Sequence, residues 1–166
     1  MQKYDIIVIG SGPAGQRAAI QGSKCGRHVA VIEQREIVGG ACVNTGTIPS
    51  KTMREAVMHL SGFQYQGIYG SNYHVKEKIL MADLGFRVNQ AIKTEVDVTQ
   101  AQLTRNGVDV ITGRGGFLDP THIRVESARG QVDLEAPTVI IATGTKPSTS
   151  PTVPLNGRSI VNSDQI

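Results

Sequence analysis

Gly10-Ser11-Gly12-Pro13-Ala14-Gly15 is a G-x-G-x-x-G run, a spacing that lets backbone amides close on a phosphate. Gly10 permits a tight turn, Gly12 lets the main chain approach a pyrophosphate, and Gly15 lets a helix pack closely on a strand. A helix starting here offers unpaired N–H groups and the positive end of its dipole to an anion, a better phosphate site than scattered lysines. Eighteen residues after Gly15, Glu33 closes a β-branched run, placed for its carboxylate to accept hydrogen bonds from ribose hydroxyls. Gln34 and Arg35 follow at the same edge and join it as candidate cofactor-binding residues. An adenine dinucleotide is the natural ligand. The run alone does not separate NAD from FAD, and a glycine-rich turn without any ligand could be spelled the same way.

A second cluster runs Gly39-Gly40-Ala41-Cys42-Val43-Asn44-Thr45-Gly46-Thr47-Ile48-Pro49-Ser50-Lys51. It resembles the flavin-side segment of the pyridine nucleotide-disulfide oxidoreductases, flavoproteins with two dinucleotide-binding domains, in which it reads G-G-x-C-x-N-x-G-C-I-P-S-K. The resemblance implies FAD as the cofactor. It also implies that Gly39, Gly40, Ala41, Cys42, Thr47 and Lys51 border the flavin, with Lys51 near the flavin N5 side. One position departs: Thr47 stands where the family has its second, flavin-contacting cysteine. A disulfide relay needs two sulfurs able to come within about 2 Å of each other, and Cys42 has no partner in the loop. A hydroxyl does not cycle through disulfide and thiolate. Electrons that enter must then leave as hydride, which resembles the soluble transhydrogenase branch, with NAD(P) as substrate and Thr47 and Lys51 as the catalytic candidates. Two rival readings stay open: a disulfide oxidoreductase of the dihydrolipoyl dehydrogenase type, and a non-catalytic dinucleotide-binding module.

Two later segments fit the same resemblance. Gly113-Arg114-Gly115 lies where relatives bring backbone close to the adenine, with Arg114 and Gly115 as cofactor-binding candidates. Ala142-Thr143-Gly144 matches the A-T-G at a strand end near the cofactor. Lys51 in an opening helical turn opposes the macrodipole, which an acidic or flavin partner would offset. Cys42 is expected to touch FAD without redox work, and Cys25 to be a buried or half-exposed structural residue.

The elements that must position these residues are legible in the hydrophobic pattern. Tyr4 to Ile9 and His28 to Glu33 read as buried parallel strands. Between them Pro13 suits a first helical position, Ala14, Ala18, Ala19 and Ile20 supply an apolar face, and Gly26 sits where a helix would end. Pro49 opens another helix with Met53, Val57 and Leu60 as its stripe. A longer one carries Leu84, Val88, Ile92, Val96 and Leu103 and stops at Asn106-Gly107. Val108 to Thr112, Thr121 to Glu126 and Gln131 to Glu135 alternate and predict a small antiparallel meander. Thr138 to Ala142 returns to a continuous apolar strand. The fold class is α/β, a Rossmann-like FAD-binding domain with a parallel sheet, helices and the meander. It should span residues 1–146, with a proline-stiffened linker over 147–166 leading toward a nicotinamide-binding domain not seen in this sequence.

Composition agrees. The chain has 166 residues, 39% hydrophobic and 19% charged, with 19 glycines and no tryptophan, which excludes disordered, collagenous and coiled-coil classes. Its net charge of +3 is scattered, so nucleic acid is not an expected partner. No stretch approaches the roughly 20 apolar residues that cross a bilayer. Two cysteines and four histidines make no metal spacing, and free thiols suit the cytoplasm. Small-molecule dinucleotides are the expected partners, in a homo-oligomer of the full-length protein. The 166 residues are expected to be an N-terminal piece without transhydrogenase activity of its own, because they hold one dinucleotide motif and the chemistry needs two sites.

Overall fold

The computed structural model describes residues 1–165, so Ile166 of the expected linker lies outside the described residues. A short β1 (Gln2–Lys3) precedes β2 (Ile6–Ile9), α1 (Pro13–Lys24) and β3 (Val29–Glu33), the expected β-α-β unit. All five residues of β3 are buried, as for a parallel strand covered on both faces. Pro13 takes the first helical position, and Gly26 follows the helix with a φ of 76°, a left-handed conformation that ends it cheaply. The chain continues through α2 (Gly40–Asn44), α3 (Thr47–Leu60), α4 (Gln66–Tyr69) and α5 (Met81–Arg105). Then come β4 (Asp109–Thr112), β5 (Arg114–Phe117), β6 (His122–Ser127), β7 (Gly130–Glu135) and β8 (Thr138–Ile141).

Two four-stranded sheets result. The parallel one has the order β4-β3-β2-β8, and the other β1-β7-β6-β5, with β5, β6 and β7 antiparallel. The meander is thus present, with one correction. Val108 to Thr112 was expected to start it, but Asp109–Thr112 pairs with β3 as the edge of the parallel sheet, and Arg114–Phe117 takes the meander position. Exposed Asp109 and Thr112 flank half-buried Val110 and Ile111, which pack on opposite faces of the parallel sheet; so short a run is not told from a meander strand by periodicity, and Gly115 and Gly116 hide the alternation of β5. Gly113, at φ 154°, makes the change of sheet. A Cβ there would come within 2.7 Å of the Glu126 carbonyl oxygen.

The chain divides into two units. The first comprises Met1–Cys42 and Val96–Lys146, and the second Val43–Glu95 and the chain from Pro147 on. In the first, the period of two along β2 and β3 sends side chains to opposite faces. Ile7, Ile9, Ala30 and Ile32 pack against Ile123, Val125 and Leu134 of the second sheet. Val8, Val29 and Val31 pack with Ala19 of α1 and Leu103 of α5. The predicted α5 stripe is borne out by burial of Leu84, Val88 and Leu103, with Thr99 filling its gap.

In the second unit, α3 departs from expectation: none of its residues is buried, and Val57 of its predicted stripe is exposed. The following segment folds back on the end of α3, where the Val75 and Lys76 amides donate to the Leu60 carbonyl. The rings of Tyr65, Tyr69 and Tyr73 cluster in the same unit, with Tyr69 and Tyr73 centroids 5.0 Å apart.

Candidate functional site

In the first unit β2 is central, with β3 on one side and β8 on the other. The chain leaves β2 through α1 toward β3, and β8 is added on the far side, so the strand order reverses at β2. The crevice outside the carboxyl ends of strands at such a reversal is where open α/β sheets take ligands. Gly10 to Gly15, Glu33 and Ala142 to Gly144 all lie at these carboxyl ends.

Each glycine of the first run has a definable reason. Gly10 adopts a φ of 106°, and a Cβ on it would fall on the Ala142 carbonyl oxygen, so A-T-G is stacked against the turn. The Ala142 amide donates to the Ile9 carbonyl at 2.8 Å. A Cβ on Gly15 would fall on the Gly10 carbonyl oxygen, which is the close strand–helix packing the sequence calls for. Gly12 is different. Its φ is −65°, open to any residue, and a Cβ there would meet only the Gly40 Cα, at an ordinary 3.9 Å. The protein itself does not require glycine at 12.

The first turn of α1 has no side-chain cap and no acidic residue, and Pro13 and Ala14 are exposed beside it. Its leading N–H groups therefore remain available to an anion. An uncapped helix start, a missing side chain that the chain does not need to omit, and a carboxylate at the end of the neighbouring strand together fit the pyrophosphate and ribose of a dinucleotide.

Ser11 and Glu33 are both buried. The Ser11 amide donates to Glu33 Oε2 at 3.0 Å and its hydroxyl to the same oxygen at 2.5 Å, while the Arg35 amide donates to Oε1 at 3.0 Å. The Gly39 amide donates to the Ser11 carbonyl and hydroxyl oxygens, each at 3.2 Å. Gly40, at φ 63°, approaches so closely that a Cβ would lie 2.7 Å from the Gly12 Cα. The two glycine clusters, separate in sequence, thus form one wall. Gly113 donates its amide to the Glu33 carbonyl at 2.8 Å. That bond brings Arg114, exposed, and Gly115, packed on Ile32, to the same edge.

Gln34 and Arg35 are exposed past the end of β3, Ala41 is exposed and Cys42 half-buried on α2, and Thr143 and Gly144 are exposed after β8. Thr47 and Lys51 belong to the second unit, exposed in the first two turns of α3. There the Ser50 hydroxyl donates to the Thr47 carbonyl at 3.2 Å. One contributor leaves little trace in the sequence. Gln16 donates its side-chain amide to the Ser11 carbonyl at 2.8 Å, and its one signal was a polar residue near the start of an alanine-rich helix.

Both thiols are free. Cys25, contrary to the buried or half-exposed expectation, is exposed, because it caps the C-terminal end of α1 where the helix runs out to solvent. Cys42 lies two residues beyond Gly40, which touches the opposite end of that helix. Twelve residues of helix, about 18 Å, therefore stand between the two sulfurs' positions in the fold. Among the described residues no group of three His, Cys, Asp or Glu side chains could hold a metal. Among the same residues, no helix is long and apolar enough to cross a membrane.

Residues 4–165 match the family model for pyridine nucleotide-disulphide oxidoreductases. The chain is 48% identical, over 168 aligned residues, to a soluble pyridine nucleotide transhydrogenase of Mycobacterium bovis, covering 100% of this chain and 36% of the relative. It is 36% identical to one from Pseudomonas syringae pv. tomato, covering 98% of this chain and 35% of the relative. It thus spans about a third of the length of these curated relatives. The crystal structure of LpdA from Mycobacterium tuberculosis superposes with a TM-score of 0.83 at 28% identity, covering 100% of this chain and 37% of that one. The flavoprotein disulfide reductase RclA from Escherichia coli does so with a TM-score of 0.70 at 25% identity, covering 89% and 30%.

Proposed function

Because the chain belongs to the pyridine nucleotide-disulphide oxidoreductase family, we propose that it holds FAD along the carboxyl edge of its parallel sheet and that the full-length protein catalyses NADPH + NAD⁺ → NADP⁺ + NADH. When bound, FAD supplies a carrier that accepts and returns hydride, and the protein's work is to bind and orient it. The amides at the start of α1 and the bare backbone of Gly12 receive the pyrophosphate, and Glu33 receives the ribose. Gly39 to Cys42 form a wall of the same cleft. Lys51 provides a cation for the flavin ring, and Thr47 provides a hydroxyl where a redox thiol would otherwise act. Arg114, Gly115 and Ala142 to Gly144 complete the rim. Residues 1–146 form the FAD-binding domain, and 147–166 lead toward a nicotinamide-binding domain. Dinucleotides are the small-molecule partners of a cytoplasmic homo-oligomer.

One observation carries the choice of chemistry: Thr47 replaces the second sulfur, and the other thiol, Cys25, sits at the far end of α1. Two electrons leaving by disulfide exchange would need a dithiol. Hydride transfer between nicotinamides needs none. The similarity in name of the curated relatives supports the same choice. Purification in excess FAD tests the binding half. The expected result is a flavin absorption band with quenched fluorescence that persists through gel filtration. Tight NAD binding with no flavin uptake would overturn it in favour of a non-catalytic nucleotide module.

A further inference from the structure

The x of a G-x-G turn is usually read as a filler, yet Ser11 is fully buried and every polar atom it has is engaged. Its amide and hydroxyl both donate to Glu33 Oε2, its hydroxyl and carbonyl oxygens both accept from the Gly39 amide, and its carbonyl also accepts from Gln16. None of these atoms is turned toward the crevice as a phosphate ligand. A carboxylate offers about four acceptor positions, two on each oxygen. Ser11 fills both on Oε2. The Arg35 amide fills one on Oε1. One position remains, on Oε1 of a side chain residue that is only 6% exposed.

We propose that Ser11 is a positioning residue: it saturates Glu33 Oε2 and so restricts Glu33 to accepting one ribose hydroxyl, through Oε1. The proposal rests on the dinucleotide reading of the site and adds to it both a residue that acts through another and a limit of one hydroxyl. The same hydroxyl ties Glu33 to the Gly39–Gly40 turn, so the ribose acceptor and the second glycine wall are set by one side chain.

The test titrates the full chain, stripped of flavin, with ADP, 2′-deoxy-ADP, 3′-deoxy-ADP and inorganic pyrophosphate. In the unaltered protein one deoxy nucleotide binds roughly tenfold more weakly than ADP and the other within about twofold, since only one hydroxyl meets a charged acceptor. Equal losses for both would overturn the limit of one hydroxyl. Ser11→Ala weakens ADP by roughly tenfold while pyrophosphate changes by less than about twofold, and adds nothing in a Glu33→Ala background, as expected for coupled residues. Equal weakening of pyrophosphate and ADP would make Ser11 a mere support of the loop and overturn the positioning role. If Ser11→Ala does not fold, the deoxy series on the unaltered chain decides. A chain that binds none of the four would sink the dinucleotide reading itself, an outcome distinct from ADP binding with the wrong hydroxyl pattern.

Discussion

The glycine cradle around Gly10–Gly15 and the start of α3 around Gly46–Lys51 both carry motif residues, but the chain treats them in opposite ways. In the cradle Gly10, Ser11 and Gly15 are fixed by the protein's own packing, while Gly12, Pro13 and Ala14 are left free. Gly10 lies against Ala142, Gly15 against Gly10 and Gly40 against Gly12, and Ser11 and Glu33 are buried on each other. At the helix start Thr47, Ser50 and Lys51 are exposed, and the helix buries none of its residues. The carboxyl edge of the parallel sheet is built in advance by sterics and hydrogen bonds, whereas Thr47 and Lys51 are not held in place by burial within their own helix.

Gly15→Ala should break the cradle most severely. Its Cβ lands on a backbone carbonyl that has nowhere to go, and a loss of about 3 kcal/mol in urea denaturation is expected from overpacking; a loss under 1 kcal/mol would show the strand–helix contact to be soft. Glu33→Ala comes next, at about 2 kcal/mol, because it strands the buried amide and hydroxyl of Ser11. Gly12→Ala sharpens the contrast inside the cradle itself. Room for the methyl predicts a stability change below about 1 kcal/mol, while FAD affinity, followed by flavin fluorescence, falls by about tenfold or more. Unchanged affinity would mean that no ligand approaches Gly12.

The amino edge of the same sheet serves as a control. Burial, and then the Asp109 carboxylate 3.0 Å away, push the Tyr4 hydroxyl from its ordinary 10.0 up to about 12. The unfolded chain therefore gives up this proton first, so stability is complete below about pH 10 and falls between about pH 10 and about pH 12. Tyr4→Phe should remove that part of the decline, read as a flatter melting-temperature profile over this window, and Gly12→Ala should leave it in place. The smallest effect belongs to the helix start: Thr47→Ala, at an exposed site, should shift stability by less than about 0.5 kcal/mol in the same denaturation. A larger loss would mean that this region too is locked by its own chain.

The sequence made the β-α-β unit, the long helix and the final strand legible, because continuous apolar runs, Pro13 and Gly26 are local signals that packing does not overrule. It misassigned Val108 to Thr112, since a run with only Val110 and Ile111 half-buried, one on each face, is too short for periodicity to separate an edge strand of a parallel sheet from a meander strand, and the glycines of β5 erase the pattern that would have told them apart. The glycine cradle and Glu33 were visible from spacing. The joining of the two glycine clusters through Ser11 was not, because a contact across 28 residues leaves no periodic trace. Helical spacing places Met53, Val57 and Leu60 on one stripe of α3, yet α3 buries none of its residues.

The chemistry turns on whether a lone Cys42 can serve as a redox partner. NADPH oxidation by the full-length protein, with a thionicotinamide dinucleotide or lipoamide as acceptor, measures this directly in the unaltered protein and in Cys42→Ala. Turnover of the thionicotinamide acceptor that survives Cys42→Ala within about tenfold, with no lipoamide reduction, is the predicted result. Robust lipoamide reduction that disappears with Cys42→Ala would contradict it and favour a disulfide oxidoreductase of the dihydrolipoyl dehydrogenase type.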